Sequence, residues 1–400
     1  MRNKRTLNFF LRNRFMRGFI ILFIVLSLFS LTSFVVLAEA TDGEKQLEQT
    51  VEEQLEKLDL EALEEYVESL QFFEGESLTE RLIAYIKGAE FDYDGFGRQL
   101  SSVLFAKVGD ILPAFACITA ITLLSGIIST LKSSSAGQTS GEMIFLITYA
   151  AALIPLIGVL TEVFKLSTDT INAMQKQMGL VFPVMLTLMS ASGSVVSASV
   201  CRPAVAFFSA SILSVIRSVV FPLTITIMVF SMAGKLTKDL KIGKFTAFFK
   251  SINKWIIGIC ISVFGIFFTL QGITAATYDG VVRRAAKYAI GNGIPIVGGF
   301  LSGGFDLAVA GGILIKNSLG SMSIFLMIAV LFEPLVLLIS VNVLLRLVSA
   351  ITQPFGESRI SDFLGETAEN LHYCTAGLLF TAFLYFLTIM IMIFSTEALF

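Results

Sequence analysis

Charge is scarce in this 400-residue chain. Only 15% of its residues are Asp, Glu, Lys or Arg, while 55% are hydrophobic; a soluble protein carries about a quarter charged. That deficit excludes a water-soluble globule. Histidine is rarer still. His372 stands alone, so a multi-histidine metal site lacks its partners. Cys117, Cys201, Cys260 and Cys374 are scattered through or beside apolar segments with no CxxC pair and no ligand spacing; they read as small buried hydrophobes. No GxxxxGK[ST] phosphate loop occurs, so any ATP hydrolysis would come from another subunit. Nothing in this inventory asks for a catalytic residue, a metal or a cofactor, and the chain reads as non-enzymatic.

What it has in abundance is apolar runs near twenty residues, the length that crosses roughly 30 Å of hydrocarbon. Candidate spans are Ile111–Thr130, Met143–Val163, Leu180–Val200, Phe207–Ala233, Trp255–Ala276, Ile294–Ile315, Ser323–Leu345 and Thr375–Thr396. The expected class is all-α: a polytopic helical membrane protein with six to eight transmembrane segments. Before these, Arg2, Lys4, Arg5, Arg12, Arg14 and Arg17 precede the apolar run Phe19–Leu37, and Ala38-Glu39-Ala40 has the small–x–small pattern of a signal peptidase site. Residues 1–40 therefore read as a signal peptide, or as an anchor if uncleaved, and either puts residue 41 outside.

Residues 41–105 form an acidic, amphipathic, extracytoplasmic helical region. Seventeen acids face five bases over 41–100, which argues against nucleic acid as a partner. Leu47, Val51, Leu55, Leu58, Ala62, Tyr66 and Leu70 recur at helical steps, widened by Leu63 and Val67. That face either packs on the chain's own neighbours or docks another extracytoplasmic subunit.

The multipass domain occupies 106–400. If all eight candidates cross, Lys235–Lys254, with six lysines against Asp239 alone, falls outside, against the positive-inside rule. A shift of 112 residues aligns Gly179, Pro183, Ser190 and Pro222-Leu223 with Gly291, Pro295, Ser302 and Pro334-Leu335, with twelve of fifty-one positions identical between 179–229 and 291–341. Repeats near 143–254 and 255–366 are the expectation. If both Gly–Pro–Ser segments are re-entrant, six spans remain and the lysines return inside. The alternative is an inverted repeat of ordinary spans.

The second of these segments is the most unusual stretch of the chain. Gly291, Gly293, Pro295, Gly298, Gly299, Gly303 and Gly304, with Ser302 and Asp306, crowd a run otherwise apolar enough for a bilayer. Lipid cannot satisfy amides that glycine and proline loosen, so such a segment belongs inside protein or beside water. Just upstream, Asp279, Arg283, Arg284 and Lys287 make a short charged helix, which reads as an interfacial helix on phospholipid headgroups or as a basic vestibule. Tyr278-Asp279 with Gly304-Phe305-Asp306 only superficially resembles the YD and GxGD pair of intramembrane aspartyl proteases, since the second motif is GGFD and the first acid lies in a charged helix. Taken together, TAATYDG, RRAAK and GNGIPIVGGFLSGG resemble the central segment of the stage III sporulation protein AE family, and the likeness extends over most of the chain. The resemblance implies a channel-like component of the complex joining mother cell and forespore, needed for late forespore sigma factor activity and seated in the mother-cell membrane around the forespore. Implied partners are a secretion-type ATPase and ring-forming stage III subunits, besides membrane lipid and further copies of the chain. A non-conducting scaffold and an autonomous secondary transporter are the competing classes.

Arg217, Glu333 and Arg346 stand within apolar runs, where each charge costs about 2.5–3.5 kcal/mol on the insertion scale; Asn342 adds a polar neighbour. They read as an ion path, or as pairs such as Glu333 with Arg217 or Arg346 that fix helix register.

Overall fold

A computed structural model describes residues 42–58, 60–70, 77–87, 89, 93–132, 138–207, 211–236, 242–293, 298–354 and 358–395; the leader lies outside them. All its regular structure is helical. Three short helices come first: α1 (Asp42–Glu56), α2 (Glu61–Ser69) and α3 (Leu78–Ile86), the last opened by a Ser77/Glu80 capping box. Then follow α4 (Tyr93–Lys132), α5 (Gln138–Ala191), α6 (Val195–Phe207), α7 (Leu213–Leu236), α8 (Gly243–Gly293), α9 (Gly298–Thr352) and α10 (Ser358–Phe394). Six of them, α4, α5, α7, α8, α9 and α10, are long and apolar enough to cross a membrane.

Two pairs of expected spans are single helices. Met143–Val163 and Leu180 onward belong to α5, 54 residues without a break, and Ser302–Ile315 and Ser323–Leu345 belong to α9, 55 residues. At about 1.5 Å per residue each is roughly 80 Å long. Between those runs, Thr168–Gln177 and Lys316–Ser323 are rich in small and polar residues, a loop-like composition. Those residues are instead the packing surface. Gln177 donates its amide to the Ser323 carbonyl at 3.0 Å, and Gly320 lets α10 in so closely that an added Cβ would lie 2.6 Å from Ile393 Cδ1. Small and polar residues that look like a loop in sequence are here the close-contact face of a buried helix.

The first Gly–Pro–Ser segment is part of one of these helices. Gly179, Pro183 and Ser190 lie on uninterrupted α5, and the chain reverses later, at Ser192–Ser194, through Gly193 with φ 83°. Proline's ring clashes with the carbonyl four residues back; here that residue is Gly179, whose surroundings are open. In α7 the Ile216–Val220 turn is π-helical, just before Pro222.

Contacts give the order of the bundle. α10 runs parallel to α5 (Phe363 on Tyr149, Tyr385 on Phe182) and antiparallel to α9 (Ser361 with Ser349, Ile393 with Lys316). α7 is antiparallel to α5 (Met232 at Tyr149, Phe221 on Phe164), and α8 to α7 (Asn253 to Thr224, Phe249 on Phe230). α4 follows α9 in parallel (Phe96 on Phe325, Lys107 at Glu333). The C-terminal ends of α4, α7 and α9 thus share one end of the bundle, which carries Lys235 and Lys244; α1–α3 sit toward the other.

Exposed bulky apolar side chains divide the bundle along its length. They line α4 from Leu104 to Ile127, α5 from Met143 to Ile157, α7 from Val219 to Leu236, α8 from Phe245 to Ile266 and α9 from Ile339 to Ile351. These lie toward the lysine-bearing end and form a lipid-facing belt; Val195 and Phe207 of α6, Tyr288 of α8 and Phe394 of α10 are exposed outside it. None occurs among the described side chains of α5 beyond Ile157, of α9 before Ile339, or of α10 before Phe394. In the other half the acidic region packs on the bundle. There Val51, Leu55, Leu63, Tyr66 and Val67 of α1 and α2 are buried, Gln54 donates to the Ala308 carbonyl at 2.9 Å, and Tyr66 donates to the Ala173 carbonyl at 3.3 Å. Burial pushes the Tyr66 phenol up to about 12. The acidic region's apolar face therefore packs on its own chain.

Gly320→Ala should destabilise the bundle by about 1–3 kcal/mol, because the new methyl collides with Ile393. Gly179→Ala, with nothing within 4 Å of the added carbon, should be neutral or gain up to about 1 kcal/mol. Thermal melting in detergent distinguishes the two, and Ile393→Val should partly rescue the first.

Candidate functional site

The glycine-rich segment closes the α8–α9 hairpin at the end away from the belt. Gly291 and Gly293 are in the last turn of α8; Gly298, Gly299, Ser302, Gly303 and Gly304 lie on the first two turns of α9; Pro295 is outside the described residues. Across the hairpin, Lys287 Nζ donates to Asp306 Oδ2 at 2.6 Å. Asp306 therefore pairs with the charged helix upstream, and the two features that sequence keeps apart are one site. Arg284 is exposed beside it, and Asp279 and Arg283 are on the same helix. Both partners of the pair are about half exposed, so solvent screening leaves it worth no more than about 1 kcal/mol.

Every ionisable group singled out within an apolar run has a partner, though not the expected one. Glu333 pairs with Lys107 of α4 at 2.9 Å rather than with an arginine. The reason is register: α4 runs alongside α9 and presents Lys107 at that level, whereas Arg217, on α7, donates to Asn172 Oδ1 of α5. Arg346 donates from Nε to Asn342 Oδ1 at 2.9 Å and lies 3.0 Å from His372 Nε2. A guanidinium only donates, so this His372 nitrogen accepts and the ring proton is on Nδ1. Asn342 in turn donates to the Ala368 carbonyl.

Several polar groups here had no individual signal in sequence. Residues 358–374 look like a hydrophilic loop before a span, yet they are the first half of α10, enclosed at the level of the belt. There Glu366 pairs with Lys235 at 3.0 Å and accepts from Ser231. Thr367 and Asn370 are buried, and neither amide atom of Asn370 has a hydrogen-bond partner. Farther along, Lys316 is fully buried and donates to the Ile393 carbonyl at 2.6 Å, capping the last turn of α10. Polarity at helical spacing (Thr367, Asn370, Cys374, Thr381, Tyr385) was the available clue to this buried face. Among the described residues no cluster of His, Cys, Asp and Glu could hold a metal ion.

Six long apolar helices with bulky side chains turned out in a belt define a multi-pass helical membrane protein. Residues 78–396 match the family model for stage III sporulation protein AE, and the chain belongs to that family. It is 24% identical over 319 residues to stage III sporulation protein AE of Bacillus subtilis (strain 168), covering 80% of either chain. No solved structure matches it. The matched region begins at Leu78, so α1, α2 and the leader lie outside it, a narrower span than the resemblance alone suggested.

Two measurements check this geometry. With a membrane-impermeant thiol reagent, Lys287→Cys and Gln46→Cys should label from the same side and Lys244→Cys from the other. Asn317→Cys should stay unlabelled until the protein is denatured, because that side chain is only 6% exposed. Second, Lys107→Leu should lower the amount of folded protein by leaving Glu333 unpaired, and Lys107→Leu with Glu333→Leu should restore it.

Proposed function

We propose that this protein is a channel-like membrane component of the complex between mother cell and forespore, seated in the mother-cell membrane around the forespore and required for late forespore sigma factor activity. The lysine-bearing end faces the mother-cell cytoplasm, in keeping with the positive-inside rule. The observation that carries the reading is length. Helices α5, α8 and α9 have 54, 51 and 55 residues, about 75–80 Å each, of which a bilayer needs about 30 Å. The remainder projects as a helical bundle on which α1–α3 pack, a form suited to the space between two apposed membranes. Ring-forming stage III subunits would meet that projection, and a secretion-type ATPase would work from the cytoplasmic end. Any transport through the protein needs no catalytic residue of its own.

A scaffold that assembles the complex without conducting is favoured by one specific observation: Arg217, Glu333, Arg346 and Asp306 are all partnered, as register-fixing residues would be. The hairpin decides between the readings. Combining Gly298→Leu, Gly299→Leu and Asp306→Asn should leave protein level, membrane location and partner recruitment intact while late forespore gene expression fails. Normal sporulation with all three changes would remove the conduit role from this segment.

A further inference from the structure

Helices α5 and α7 diverge within the belt and leave an open groove of about 450 Å³ between them. That volume is in the range of roughly 300–1,000 Å³ typical of ligand sites. Its floor is Leu160 and Met228, both buried, and its rims are Ile157, Ile225 and Val229, all at least 42% exposed. Polarity is confined to one end, where Lys165 and Asp169 close the groove. From Ile157 to Asp169 is twelve residues of continuous helix, about 18 Å, or roughly one leaflet of a 30 Å hydrocarbon core. The polar end points away from the lysine-bearing end, toward the layer where Glu333 meets Lys107 and Arg217 meets Asn172. On α7 the groove thus lies within the belt, and on α5 it runs from Ile157, the last exposed bulky residue, toward the end nearer α1–α3, with its charges at the headgroup boundary.

Both charges are exposed, and neither has an ion-pair partner among the described residues, not even the other. Four residues apart on one helix they could pair, but a base placed before an acid is the weaker orientation. Thr161 and Thr168 spend their hydroxyl protons on the carbonyls of Ile157 and Phe164. One cation and one anion side by side, at the wet end of a leaflet-deep apolar groove, match a headgroup that itself carries both signs.

We propose that this groove holds one acyl chain of an aminophospholipid from the leaflet nearer α1–α3, with its phosphate beside Lys165 and its ammonium beside Asp169. A net-anionic headgroup satisfies only Lys165 and meets the Asp169 carboxylate. A compact ethanolamine brings its ammonium within reach of that carboxylate.

The test uses the full chain purified in detergent and exchanged into equimolar phosphatidylethanolamine and phosphatidylglycerol, with retained lipid counted by native mass spectrometry. One phosphatidylethanolamine should be retained per chain, with a preference of about tenfold, equivalent to about 1.4 kcal/mol. Asp169→Asn should erase that preference, and Lys165→Gln should weaken retention of both lipids. Val229→Trp fills the groove from an exposed rim, so it should cut retention about tenfold without changing the melting temperature measured in lipid-free detergent. A phosphatidylethanolamine bearing a diazirine in its acyl chain should crosslink to peptides containing 157–169 and 225–232. Equal retention by Val229→Trp, a wild-type preference for phosphatidylglycerol, no retained lipid, or crosslinks confined to other helices would each overturn the proposal.

Discussion

In hydrocarbon a polar group has no water to return to, so it must find its partner inside the protein or cost several kcal/mol. α10 places this demand on the rest of the bundle. Its first half is hydrophilic and lies at the level of the lipid belt, yet it is enclosed by α5, α7 and α9. Each neighbour supplies something: α5 gives Glu142 for Arg359 and Ser167 for Cys374, α7 gives Lys235 and Ser231 for Glu366, and α9 gives the Arg346–Asn342 pair for His372 and the Ala368 carbonyl and Ser349 for Ser361. Remove the enclosure and this segment could not stay at belt depth. The apolar second half then enters the part of the bundle outside the belt, where it fills a protein core instead of facing lipid.

Close approach makes the enclosure possible. At Gly312, Gly320 and Gly377 an added Cβ would lie 2.6–3.0 Å from Ser192, Ile393 and Ile216. Membrane helices gain little from hydrophobicity against one another and rely on such packing. None of these three glycines belongs to the dense cluster that catches the eye in sequence. The cluster between Gly291 and Gly304 serves a hairpin instead, and the Lys287–Asp306 pair bridges it.

The belt and the projecting half have different tasks. The belt must be apolar outward and tolerate pairs such as Lys107–Glu333 at its margin. The other half receives the apolar face of α1 and α2, whose remaining face is acidic and solvated.

Much of this was already legible along the chain. Charge deficit and twenty-residue apolar runs determined a multi-pass helical protein, because only a helix satisfies its backbone alone in lipid. Helical spacing from Val51 to Tyr66 determined an amphipathic region with a face to bury, and the glycine-rich motif pointed to the family. The helix count within the runs was decided by tertiary structure. Thr168–Gln177 and Lys316–Ser323 have loop composition, and nothing local reveals that each is held helical by the other through Gln177 and Ser323. The partners of Glu333 and Arg217 were likewise open, since a salt bridge or hydrogen bond depends on which helix lies alongside and at what register. Local periodicity carries the first kind of information, and side-chain packing between segments distant along the chain carries the second.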